Sequence, residues 1–223
     1  KHYADLYYAY SFDGGLTWSL TQAKFSRCTG GNAANGGDFA RASDPWVTIG
    51  PDGIAYQIGI AFNGETFAAN SSSAVLASRS TDGGRTWSDP ATLIRDGVAP
   101  FNDKESITAD PFTPGFAYAT WDRLDQSGNG PSWFARTING GQSWEPAKPI
   151  YDPGGRNQTL NNHIVVTANA ATHTLYDFFT EFDTVGNTTT PHLAVIRSID
   201  FGATWSAAST VSNLRAIGTH DPQ

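Results

Sequence analysis

The sequence predicts an all-β chain made of four-stranded β-propeller blades. Three observations predict it: an eight-residue turn motif that occurs four times, the same succession of short strands between its copies, and a composition rich in glycine and aromatics. The motif reads Ser11-Phe-Asp-Gly-Gly-Leu-Thr-Trp18, Ser80-Thr-Asp-Gly-Gly-Arg-Thr-Trp87, Thr137-Ile-Asn-Gly-Gly-Gln-Ser-Trp144 and Ser198-Ile-Asp-Phe-Gly-Ala-Thr-Trp205, at intervals of 69, 57 and 61 residues. Self-similarity at such a period marks a stacked or radial architecture.

The residue types of the motif suit a hairpin turn. Asp13, Asp82, Asn139 and Asp200 accept hydrogen bonds from nearby amides. Glycine supplies positive φ, and the Ser and Thr hydroxyls bond locally across the turn. Trp18, Trp87, Trp144 and Trp205 return to the sheet, where an indole buries a large apolar face between neighbouring sheets.

The segments between the turns align. Trp46-Val-Thr-Ile, Ser106-Ile-Thr-Ala and Ile164-Val-Val-Thr begin the units. Gly53-Ile-Ala-Tyr56, Gly115-Phe-Ala-Tyr118 and His173-Thr-Leu-Tyr176 follow, with the three tyrosines in one register, which argues for packing. A third strand ends on Arg79, Arg136 or Arg197, read as bonding along the sheet or to a neighbouring blade, and a fourth follows each Trp. The runs are short, β-branched and aromatic, with Gly, Pro and Asp between them. No amphipathic helix is visible.

Strand counting puts whole blades at about 44–95, 103–151 and 161–211, and half a blade at 1–26. About three and a half blades leave open edges. The chain is therefore expected to be part of a longer propeller, or to be completed by a second copy.

Composition excludes several functions. Charged residues are 16%, against a usual share of roughly 25%, and the net charge is −7. With no basic run, a nucleic-acid partner is not expected. No stretch reads as a membrane span. Cys28 is the single cysteine, so no internal disulfide forms. The five histidines lack metal-ligand spacing. No cofactor is expected; an Asp/Gly-rich loop such as 122–130 could bind calcium, but no EF-hand pattern is present. Asn70, Asn157 and Asn187 begin N-x-S/T tripeptides, a weak pattern that matters only in a secreted eukaryotic protein.

These turns resemble the Asp boxes, or BNR repeats, of sialidases and their relatives. Asn102-Asp-Lys-Glu-Ser-Ile-Thr-Ala-Asp-Pro111 and Phe116-Ala-Tyr-Ala-Thr-Trp-Asp122 are similar to proteins labelled sialidase-like or BNR-repeat glycosyl hydrolases. The resemblance implies a single propeller of six to eight blades, a secreted, cell-surface or periplasmic location, and a glycan or glycoconjugate partner. The box itself is specific for fold, not for activity.

Because the box joins strands three and four, the loops between blades and between strands two and three lie on the opposite face. Ligands of propellers bind there. Asp44, Lys104 and Asn162 align at one position of that face, Pro45, Glu105 and His163 at the next, and Arg123 with Glu181 at another. A sialidase needs three arginines on the substrate carboxylate, an acidic residue as general acid/base, and a tyrosine activated by a glutamate. On that scheme Arg41, Arg123 and Arg156 form the clamp, Asp44 or Asp103 is the acid, and Glu105 or Glu181 is the partner, with no tyrosine evident among the face loops. Asp122 joins the catalytic candidates; Lys104, Trp121 and His163 join the binding candidates. The Arg-Ile-Pro signature of the family's first blade is absent. An exo-sialidase-like hydrolase is the first reading, a non-catalytic glycan- or protein-binding propeller the second. A polysaccharide lyase using His163 beside Arg156 is the third.

Overall fold

The computed structural model describes residues 5–168 and 173–214. It is all-β apart from one 3-10 turn, Arg27–Thr29. Strands β1 (Tyr7–Tyr10) and β2 (Ser19–Gln22) form a two-stranded sheet. Three four-stranded sheets follow in chain order: β3 (Arg41–Ile49), β4 (Ala55–Asn63), β5 (Ser72–Ser80) and β6 (Ala91–Asp96); β7 (Phe101–Ala109), β8 (Ala117–Leu124), β9 (Ser132–Thr137) and β10 (Lys148–Tyr151); β11 (Gln158–Ala168), β12 (His173–Val185), β13 (Thr188–Ser198) and β14 (Ser209–Asn213). Every pair is antiparallel. β7 packs between β3 and β11, so the first strands of the three sheets stand side by side at the centre.

Apolar side chains fill the space between sheets. Tyr56, Ile58 and Ile60 of β4 meet Ile107 and Trp121 of the next sheet. Tyr118 and Phe134 meet Ile164 and Leu175. Leu6, Tyr8, Phe25 and Phe39 cover the other face of the first full sheet at Ala61, Ala74 and Leu76. Burying one such large side chain contributes about 2–3 kcal/mol.

The turn chemistry appears in bonds. Ser80 Oγ donates to Asp82 Oδ1 at 2.7 Å and accepts from Gly84 N at 2.9 Å. Thr86 donates to Asp82 through its amide at 3.0 Å and its hydroxyl at 2.6 Å. At the Asn box the polarity reverses, and Asn139 Nδ2 donates to Ser143 Oγ at 2.8 Å. Arg79 Nη1 donates to Gly140 O at 3.0 Å, and Arg136 Nη1 to Phe201 O at 2.6 Å. Each of these arginines thus ties its own sheet to the box turn of the next.

Three expectations change. Trp87 packs beside Tyr8, Trp144 on the core before β11, and Trp205 on Phe134. Trp18 instead stays 63% exposed, because no sheet precedes β1 among the described residues. Each box indole packs against the sheet before its own, so the first finds none. The central strands also begin two or three residues before the blade starts expected at 44, 103 and 161, because pairing continues through a bulge.

That bulge corrects the alignment of the third repeat. Pairing skips two residues between Ser43 and Trp46, between Asp103 and Ser106, and between Leu160 and His163. Asp44, Lys104 and Asn161 therefore share one position, with φ of 56°, 48° and 59°. Pro45, Glu105 and Asn162 share the next. The sequence alignment placed Asn162 and His163 one residue off, because His163 opens its strand with a polar side chain where Trp46 stands in the first sheet.

Candidate functional site

The three bulges build the site. An extra residue in one strand bends it and re-aims its side chains. Here the first bulge residue is in the left-handed region, which costs a non-glycine residue about 1–2 kcal/mol. Such strain in three adjacent strands concentrates where function does.

The bulges enclose a cavity of about 330 Å3 on the central axis. Asp44, Pro45 and Trp46 line it from β3, Lys104, Glu105 and Ser106 from β7, and Asn161, Asn162 and His163 from β11. Trp46 is 43% exposed and lies against the His163 ring at 5.3 Å between centroids. Ser106 Oγ donates to Asn162 O at 2.8 Å, and Ser132 Oγ donates to Asn162 Oδ1 at 2.5 Å, which holds the third bulge against the second sheet.

Carboxylates dominate the electrostatics. Lys104 Nζ lies 3.4 Å from Asp44 Oδ1. Its partial burial opposes the charge, but Asp44 and Asp103 outweigh that and hold the ammonium above its ordinary value. Asp103 and Asp122 stand directly opposite each other on β7 and β8. Burial raises Asp103, and the Lys104 ammonium pulls it only partly back. Asp122 is raised well above the usual carboxylate range, by burial first and by the Asp103 charge second. Two like charges so placed repel, and the relief is to retain a proton. Glu105 is also raised well above its usual range, by burial and then by Asp44 and Asp103. Both its carboxyl oxygens and Asp122 Oδ1 are buried with no hydrogen-bond partner.

The structure thus brings together Asp44, Asp103, Lys104, Glu105, Asp122 and His163. It does not bring in the others. Trp121 is fully buried, and its indole N–H donates to Asn102 Oδ1 at 3.0 Å, so it packs the core and cannot stack on a sugar. Trp121 lies on the face of β8 that packs against the first full sheet. Arg123 is held by Asp96 at 3.0 and 2.5 Å and lies over the Trp133 ring. Arg41 bonds Gly64 O and Glu65 and lies over Phe62. Arg156 is exposed beside Gly128. None of the three lines the cavity, so the expected clamp is not assembled and Arg156 does not meet His163. Glu181 sits away from the cavity at the junction of the second and third full sheets. It accepts the Tyr151 hydroxyl with both oxygens at 3.0 Å, and His192 Nε2 lies 3.5 Å away.

Sequence reading missed Tyr151, and missed Asp177, which is fully buried with both carboxyl oxygens unpartnered. Burial and then Glu181 raise the Tyr151 hydroxyl above its ordinary value. Tyr151 sits on an outer strand and announces itself by no motif; Asp177 was visible as a lone charge inside an apolar strand. Asp125 of the calcium-candidate loop is engaged by Ser127 and Asn129 of its own loop. No group of three metal-ligating side chains occurs among the described residues.

The comparisons agree with this architecture. Residues 9–20 match the family model of the BNR/Asp-box repeat. The α-L-arabinanase of Penicillium chrysogenum, solved with arabinobiose, superposes at TM-score 0.61 and 16% identity over 92% of this chain and 59% of its own. This chain is an Asp-box β-propeller. The propeller is similar also to the α-L-arabinofuranosidase arb93a of Fusarium graminearum, at TM-score 0.60 and 13% identity over 91% and 57% of the two chains. The NanB sialidase of Streptococcus pneumoniae follows at 0.56 and 12% over 93% and 46%. The propeller spans about half the length of these chains. No curated protein sequence matches it.

Proposed function

We propose that the Asp-box propeller contributes the carboxylate side of a glycoside hydrolase site, on the axial cavity between the three bulges. The observation that carries this reading is the group of carboxyls about Lys104: Asp44 and Glu105 line the cavity with it, and Asp103 and Asp122 face each other across β7 and β8 next to the bulge. Cleaving a glycosidic bond needs one carboxyl that holds a proton for the leaving oxygen and one carboxylate that supports charge on the sugar ring or activates water. The opposed Asp103 and Asp122 provide the first, since burial and mutual repulsion keep a proton on the pair. Asp44, paired with Lys104, provides the second. Asp103 is the less buried member and makes the donation; Asp122, 4% exposed, holds the proton in reserve.

The fold shared with hydrolases of arabinosides and sialosides supports the reaction class. A secreted or cell-surface location goes with it, because glycan polymers and conjugates lie outside the cell. A second reading is a glycan-binding propeller without turnover, favoured by the half-exposed Trp46 on the cavity wall, where a sugar ring stacks.

Hydrolysis of a panel of aryl glycosides tests both. Asp103→Asn is expected to lower kcat by about 10²–10⁴-fold and to shift the alkaline limb of the pH profile. Unchanged turnover in Asp103→Asn and Asp44→Asn removes the site assignment. Glycoside binding with no turnover by the wild type selects the second reading.

A further inference from the structure

We infer that the axial cavity accepts an uncharged sugar ring and rejects one bearing a carboxylate. The inference rests on the glycan-site reading above and names the substrate class of that same cavity.

The argument is the local charge inventory. Recognition of a sugar carboxylate needs cationic donors free to pair with it, and arginine is the best suited because its fork matches the two oxygens. Among the described residues the one cation lining the cavity is Lys104, and Asp44 already pairs with it. Arg41 and Arg123, the arginines nearest in the pairing pattern, are spent on Glu65 and Asp96 and covered by Phe62 and Trp133. An incoming carboxylate would therefore meet Asp44 with no unpaired cation among the described residues of the lining to offset it, and like charges brought together at short range repel strongly. An uncharged ring meets no such barrier. Trp46 and His163 offer it an aromatic wall, and the exposed Asn161 offers an amide that both donates to and accepts from hydroxyls. The cavity volume of about 330 Å3 lies at the small end of the range for small-molecule sites, which fits a single ring.

The mechanism of rejection also makes it reversible. Replacing Asp44 by asparagine removes the nearest repelling charge and frees the Lys104 ammonium. Saturation-transfer NMR on the purified chain, with methyl α-L-arabinofuranoside and methyl β-D-galactopyranoside as neutral probes and the methyl α-glycoside of N-acetylneuraminic acid as the anionic one, tests this directly. The wild type is expected to bind at least one neutral glycoside at least about tenfold more tightly than the anionic one, and Asp44→Asn is expected to close that gap by about tenfold. Equal or tighter binding of the anionic glycoside by the wild type overturns the inference and leaves the glycan-site reading intact. Neutral binding whose selectivity is unchanged in Asp44→Asn also overturns it, since charge at Asp44 then has no part in the choice. Absence of binding by all three probes overturns the inference and the glycan-site reading together.

Discussion

At the scale of single residues, the buried carboxyls set the pH behaviour. Glu105 and Asp122 are held well above the ordinary carboxylate range by burial. In the native state they keep protons that the unfolded chain releases once the pH exceeds about 4. Stability from these groups is therefore full below about pH 4 and declines as the pH rises through their native values. The box aspartates act in the opposite direction: the Thr hydroxyls and amides, with Thr86 first for Asp82 and Thr204 first for Asp200, lower both to about 2. Their contribution is present above about pH 4 and is lost as the pH falls toward 2. Glu105→Gln should raise the Tm at pH 8 and leave it nearly unchanged at pH 4, read by thermal unfolding at the two values. A lower Tm at pH 8 would mean that Glu105 is ionised and paired in the native protein. The residue scale is also where sequence reading was least complete. It found Asp103, Glu105 and Asp122 as polar residues on the face opposite the box turns, but it counted Trp121 among them, because a tryptophan in a β-strand carries no mark of which side it faces unless the pairing register is known.

At the scale of elements, the box turn and its indole join one sheet to the next. Trp144 and Trp205 pack on the cores before their own outer strands, whereas Trp18 lies in the open. Trp205→Ala should cost about 2–3 kcal/mol in urea unfolding, and Trp18→Ala less than about 1 kcal/mol. Equal costs would show that the indole acts within its turn and not between sheets. Arg136→Lys should cost about 1 kcal/mol, since lysine loses the fork that reaches both Glu145 and the Phe201 carbonyl. The boxes were fully legible in the sequence, because Asp, Gly and Ser/Thr at fixed offsets satisfy the turn locally and need no distant partner. The bulges were not. They arise from the pairing of two strands, and in the third repeat the polar His163 disguised the start of the regular ladder.

At the scale of the whole molecule, the ends of the sheet series differ from its middle. β1 pairs only with β2 among the described residues, and Leu16 and Leu20 are 85% and 73% exposed. Val47 and Ile49 of the neighbouring central strand are exposed beside Trp18. An unpaired strand edge beside an apolar patch recruits other chains. Self-association rising with concentration in sedimentation velocity is therefore expected, and Leu20→Lys should reduce it. A chain that stays monomeric at high concentration, with or without that substitution, would show that the edge is protected.

The sequence alone determined the fold, the four box turns and the face of the sheets opposite to them. These follow from local patterns: residue spacing within a turn, alternation along a strand, and the strand on which each loop must fall. Only the tertiary structure decided which polar residues of that face share one cavity. Arg41, Arg123 and Arg156 share the face with Asp103, yet Asp96 and Glu65 hold two of them elsewhere and the third stands apart. The carboxylates, by contrast, converge because three bulged strands from distant segments lie side by side. Partner choice among charges depends on distance through space, and the sequence does not contain that distance until the sheets have packed.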